Sequence, residues 1–151
     1  MARQLSLSLR FFTLCLLLGL STFSVAEQFV EDDQYRVHYS AFNTSLLTPE
    51  NAKQYGVTRS RNRGLINIAV QRKKADGSTV GVEAQLSGIV RHLSGTEREL
   101  DFTLVTEGSA VYYLAEFLIG NGEQLYFTLK AVPVPSHPGL KFSFDQPFYN
   151  D

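Results

Sequence analysis

The chain has 151 residues, with 14 Lys+Arg, 15 Asp+Glu and a formal net charge of −1. That balance excludes the basic surface expected of a general nucleic-acid binder. The only cysteine, Cys15, lies in a segment that reads as a cleaved leader, so the mature protein has no disulfide, thiolate nucleophile or cysteine metal ligand.

Residues 1–26 have the three parts of an export signal. Arg3 and Arg10 are its positive end, Phe11 to Leu20 form an unbroken apolar run, and Ser24-Val25-Ala26 supply small residues for a cut between Ala26 and Glu27. The apolar run is ten residues long, whereas a bilayer span needs about twenty, which argues against a permanent transmembrane anchor. Phe12-Thr13-Leu14 before Cys15 lacks the small residues of a lipidation site. The expectation is a soluble, periplasmic protein. Loss of Arg3 and Arg10 leaves 12 Lys+Arg against 15 Asp+Glu, a net charge of −3. The remaining 125 residues suit one domain, which at this size buries roughly two-thirds of its unfolded surface.

Residues 27–34 (EQFVEDDQ) read as a flexible acidic lead-in. From Tyr35 the chain alternates with a period of two, which sends one set of side chains to a core and the other to water. The sets are Tyr35, Val37, Tyr39, Ala41; Ile66, Ile68, Val70; Val82, Ala84, Leu86, Val90; Leu100, Phe102, Leu104; Val111, Tyr113, Ala115, Phe117, Ile119; Leu125, Phe127, Leu129; and Leu140, Phe142, Phe144. Asp76-Gly77, Ser94-Gly95 and Gly120-Asn121-Gly122 supply positive φ for tight hairpins. The prolines of Pro133 to Gly139 make a stiffer connection. About seven short strands joined mostly as hairpins predict an all-β, antiparallel, immunoglobulin-like sandwich over residues 35–151. A small barrel is the alternative.

One short helix interrupts this pattern after the first strand. Thr48 can cap it, Pro49 suits its first position, Glu50 favours the positive dipole end, and Gly56 can end it. Two turns do not hold alone in water, so Leu46, Leu47, Ala52 and Tyr55 must dock on the sandwich. Such an insert plugs an end or covers an open sheet edge; the sharper alternative is a lid or partner-binding element.

Tyr35-Arg36-Val37-His38-Tyr39-Ser40-Ala41-Phe42-Asn43-Thr44, Leu47-Thr48-Pro49-Glu50, Ala52, Tyr55-Gly56, Arg59-Ser60 and Gly64-Leu65-Ile66-Asn67-Ile68 carry a family likeness, continued in Tyr113-Leu114-Ala115-Glu116-Phe117 and Gln146-Pro147-Phe148-Tyr149. With these residues the chain resembles the proteobacterial domain-of-unknown-function family 4426 of small exported proteins. The resemblance covers essentially the whole mature chain; the stretch 35–68 is its most specific part. It implies a periplasmic β-sandwich of a Gram-negative envelope, and it implies no activity and no catalytic residue set.

Arg59, Arg61 and Arg63 alternate with Thr58, Ser60 and Asn62. If extended, they line one face at roughly 6.5–7 Å spacing, a comb able to grip a carboxylate or phosphate, with His38 beside it. A charged, protected sheet edge is the plainer reading. His38, His92 and His137 are scattered, with no metal-ligand spacing, so no metal and no cofactor is expected. Without a G-x-S-x-G elbow or a surviving cysteine, no catalytic residue is assigned. Glu97, Glu99 and Asp101 read as solvated charge. Tyr112, Tyr126, Phe148 and Tyr149 are candidates for a partner surface, although Phe148 and Tyr149 can equally pack back beside the first strand.

These readings combine into a non-enzymatic periplasmic protein that binds an envelope protein or an anionic glycan or lipid component. The alternatives are an adaptor that works by strand addition and a hydrolase whose site is assembled from distant strands.

Overall fold

The computed structural model describes residues 28–134 and 137–150. The segment expected to be a leader, with its expected cut between Ala26 and Glu27, lies outside the described residues. Two antiparallel sheets face each other across one core. The first contains β1 (Phe29–Glu31), β2 (Tyr35–Asn43), β3 (Arg63–Lys73), β4 (Thr79–Gly81), β7 (Thr103–Glu107) and β8 (Ala110–Leu118), in the order β1-β2-β3-β8-β7 with β4 also against β3. The second has the order β10-β9-β5-β6, from β5 (Ala84–Arg91), β6 (Glu97–Glu99), β9 (Glu123–Pro133) and β10 (Leu140–Phe148).

Alternation dictates which side chains meet. Register sets Val37 opposite Val70, Tyr39 opposite Ile68 and Ala41 opposite Ile66, so one face of β2 and β3 turns inward together. Against it lie Leu125, Phe127, Leu129 and Ala131 of β9 and Phe142 of β10. Phe127 is the hub: it stacks on Phe144 at 4.6 Å and meets the edge of Phe117 at 5.1 Å. Such ring pairs contribute about 0.5–1.5 kcal/mol beyond the area they bury.

The sandwich matches the sequence expectation, but its subdivision differs. There are ten strands among the described residues, not about seven. The lead-in is not loose throughout, because Phe29–Glu31 pairs with Arg36–His38 of β2. The set Leu100, Phe102, Leu104 is not one strand. Glu97–Glu99 pairs with β5 in one sheet and Thr103–Glu107 with β8 in the other. The chain crosses between sheets at the apolar pair Leu100 and Phe102, which pack into the core there.

After a single 3-10 turn (Thr44–Leu46) comes the helix α1 (Pro49–Tyr55). Thr48 Oγ1 accepts the Asn51 N–H at 3.2 Å, and Pro49 takes the first turn, where its missing donor costs nothing. Gly56 ends the helix at φ 67°, a conformation cheap only for glycine. The sequence predicts a helix that plugs an end or covers a sheet edge, and its side chains do reach the edge strand β7. The helix lies over the outer face of the six-stranded sheet, where Tyr55 Oη and Gln54 Nε2 both donate to Glu107 Oε1 of β7, at 2.7 and 2.8 Å. Leu65 points away from the sandwich core yet is only 2% exposed, because the insert shelters it.

Candidate functional site

The outer face of the six-stranded sheet carries the out-of-phase residues of each strand. His38, Ser40 and Phe42 come from β2, Leu65, Asn67, Ala69 and Gln71 from β3, and Tyr112 and Leu114 from β8. Insert and small residues together shape this face. α1 rises over Phe42, Leu65 and Leu114, whereas Ala69 and Ser40 leave low ground beside it. The result is a cleft of about 640 Å³ crossing the sheet, floored by His38, Ser40, Asn67, Ala69 and Gln71 and bordered by Gln28, Tyr112 and Gln146. No Asp, Glu, Lys or Arg lines it. Four amide side chains, a hydroxyl, an imidazole and the Tyr112 phenol do, and these groups recognise by hydrogen bonds instead of charge.

A second hollow of about 240 Å³ continues under α1, lined by Phe42, Leu47, Leu65, Val105 and Leu114, with Tyr55 and Glu107 at its rim. Asn67 and Tyr112 belong to both hollows. A third, of about 210 Å³, opens where β8 and β4 part along β3, and Tyr112 borders it too. At the boundary Asn67 Oδ1 is buried and accepts no hydrogen bond among the described residues. A group in that state costs about 1–3 kcal/mol unless something supplies a partner. The carboxylate of Glu107, held beside the phenol by the hydrogen bond, raises the pKa of Tyr55 above its ordinary value.

The edge of β2 beside the cleft is already engaged. Tyr39 N–H bonds to Gln28 O at 3.0 Å, Ala41 O accepts from Gln146 Nε2 at 3.0 Å, and Asn43 Nδ2 donates to Tyr149 O.

The residues singled out from sequence are dispersed. The arginine stretch is not one extended strand: Arg61 and Asn62 form a turn and Arg63 opens β3. Arg59 Nη2 donates to Ser45 O at 3.2 Å, Arg63 Nη1 sits 3.4 Å from Glu116 Oε2, and Arg61 is exposed. None of the three lines the cleft, so His38 stands apart from the comb. Its Nε2 lies 3.2 Å from Gln71 Oε1, an amide oxygen that can orient a ring but lacks the charge of a triad acid. His92 and His137 pair instead with Glu123 at 2.8 Å and Asp32 at 2.9 Å. No three His, Cys, Asp or Glu side chains gather into a metal-holding group among the described residues.

Of the four aromatics, Tyr112 stands at the meeting of the hollows. Tyr126 is on the opposite outer face, under the Arg91 guanidinium at 4.5 Å. Phe148 is a core residue, 2% exposed and 5.3 Å from the Phe117 ring, because its phase in β10 turns it inward. Tyr149 is 60% exposed. They therefore do not form one patch. The cleft itself was missed from sequence: Ser40, Asn67 and Gln71 look there like an ordinary wetted strand face.

A family model described as domain of unknown function DUF4426 matches residues 29–151. The chain belongs to that family. Among solved structures it is similar to a DUF4426 protein of Pseudomonas aeruginosa, with 35% identity over 83% of this chain and 96% of that one, at a TM-score of 0.70. FetP of uropathogenic Escherichia coli strain F11, produced in the periplasm, shares the fold at 8% identity and a TM-score of 0.56, over 82% of this chain and 93% of that one. A copper-bound variant of FetP aligns similarly, at 9% identity and a TM-score of 0.58, over 83% and 96%. Identities this low extend only to the fold. No curated protein matches the chain. The DUF4426 description carries no enzymatic activity, and no helix among the described residues is long and apolar enough to cross a membrane.

Proposed function

We propose that this DUF4426 protein is a non-enzymatic periplasmic binding module that takes its ligand or partner on the helix-flanked outer face of the six-stranded sheet. One observation carries the reading: a concave cleft of about 640 Å³ whose lining is rich in hydrogen-bonding side chains and free of formal charge. A ligand site needs concavity with a few convergent polar groups, and the larger hollow of about 920 Å³ along β5, β9 and β10 is lined instead by Glu99, Lys130 and Lys141 among others. The arginine comb is the weaker candidate, since Ser45 and Glu116 already engage two of its members. An uncharged lining favours a neutral polar ligand over the anionic one that the arginines suggested. Export fits the leader-like first 26 residues and the periplasmic production of the FetP neighbour. The copper of the FetP variant is not carried over, because no three His, Cys, Asp or Glu side chains gather among the described residues.

The two faces of the sandwich provide the test. A photo-crosslinking amino acid is placed at position 112 in one strain and at 126, on the opposite face, in another. Position 112 should give a reproducible envelope adduct and position 126 none. Equal capture at both positions, or none at 112, removes the reading.

A further inference from the structure

We infer that the ligand is a neutral amphiphile: a hydroxyl-bearing head in the cleft and a short alkyl chain beneath α1. This rests on the cleft being a binding site, and it adds the class of ligand. Three features converge. The cleft has no formal charge in its lining, so an ionised head would lose its water without gaining a counter-charge. The hollow under the helix is walled by Phe42, Leu47, Leu65, Val105 and Leu114, with the Glu107 carboxylate at its rim already bonded to Tyr55 Oη. Its volume of about 240 Å³ exceeds the roughly 150 Å³ of an engineered apolar cavity that admits benzene. Asn67, whose buried Oδ1 has no partner among the described residues, stands where the two hollows meet, which is where a head joins a tail. A hydroxyl suits that amide whichever way it is turned, because it both donates and accepts.

A peptide fits less well. Peptides that bind sheet proteins by strand addition need free backbone groups on an edge. Beside this cleft the Tyr39 N–H and the Ala41 oxygen are already bonded to Gln28 and Gln146. The helix is suited to yield to a chain entering beneath it. It has seven residues, among which only Ala52 is fully buried, and its far end is held by the two bonds to Glu107.

The probe is octyl glucoside below its micelle concentration, titrated into the isotopically labelled mature protein and followed by amide NMR shifts. Glucose, octanoate and an uncharged extended peptide serve as comparators. The glycoside should shift Asn67, Tyr112, Leu65 and Leu114 together and saturate, while glucose and octanoate bind at least about tenfold more weakly. Asn67→Ala should weaken the glycoside about tenfold, the worth of one buried hydrogen bond, with the rest of its spectrum unchanged. Tighter binding of octanoate or of the peptide overturns the amphiphile while leaving the cleft a binding site. Glycoside shifts on the opposite face around Tyr126, or none at all, also overturn it. Capture at position 112 in the crosslinking experiment decides separately whether the cleft binds anything.

Discussion

The Tyr113 hydroxyl accepts the backbone N–H of Ala84 at 2.7 Å, joining the two sheets through the core. Tyr113 belongs to β8 and Ala84 begins β5, so the bond fixes where the chain leaves the first sheet and enters the second. Both residues are buried. Burial, foremost, raises the Tyr113 pKa above its ordinary value, with the nearby Glu83 charge adding to it against the opposing Ala84 bond. The phenol therefore stays neutral, and it accepts the Ala84 N–H through an oxygen lone pair.

Tyr113→Phe keeps the ring but leaves the Ala84 N–H buried without an acceptor. The expected loss is about 1–3 kcal/mol, read as a lower urea midpoint with an unchanged slope. An unaltered midpoint would mean that water replaces the hydroxyl at no cost.

The first strand is fastened by carboxylates, which makes it sensitive to acid. Hydrogen bonds from Lys73 and then Arg36 hold the Glu31 carboxyl below its ordinary value of 4.5. At Asp32 burial pushes upward, but the N–H groups of Tyr35 and Gln34, with the charges of His137 and Lys73, outweigh it and leave the pKa lowered. A depressed folded-state pKa gives stability that is present above the unfolded value and lost as pH falls through the folded one. Glu31→Gln should therefore be less stable than the parent at neutral pH, with the difference closing below pH 4.5. Denaturation of both proteins across pH checks this, and high salt should shrink the difference because the groups are exposed.

How far such features can be read in advance depends on whether they are local. Thr48, Pro49 and Gly56 announced α1 because capping is decided within a few residues. The inward residues of β2, β3 and β9 followed from alternation for the same reason. Phe29 and Val30 were lost inside an acidic run, and only pairing with β2 makes them a strand. Leu100 and Phe102 kept the strand period while the chain passed between sheets, since a crossing through a core also needs apolar residues. The cleft depends on Asn67, Ser40 and Gln71 lying beside an insert that docks from elsewhere, and no spacing in the chain encodes that meeting. The arginine comb required one extended stretch, and that condition is not met, because Arg61 and Asn62 form a turn before Arg63 opens β3.

Gly64 is a packing position. A Cβ there would lie 2.3 Å from the Phe117 ring, which rests on the glycine across the β3–β8 pair, where Gly64 is opposite Phe117. Gly64→Ala should cost about 1–3 kcal/mol by overpacking. Phe117→Leu removes the flat ring edge, so the double variant should be more stable than the two separate losses predict. Simple additivity in a double-mutant cycle would show that the ring moves aside freely.

The helix latch should be separable from the fold. Glu107 lies on the edge strand β7, and its Oε1 receives both Tyr55 Oη and Gln54 Nε2. Replacing it with Ala removes both acceptor contacts and the charge without touching the sandwich core. Hydrogen exchange should quicken across residues 49–57 while β3, β8 and β9 keep their protection, because helices this short depend on their docking contacts. The Tyr55 phenol, now raised by that hydrogen bond and charge, should return toward its ordinary value in an absorbance titration, so that it ionises at lower pH than in the parent. Faster exchange throughout the protein would instead make Glu107 a support of the whole first sheet. Unchanged exchange with a lowered phenol pKa would mean that Ala52 and Leu47 hold the insert down by themselves.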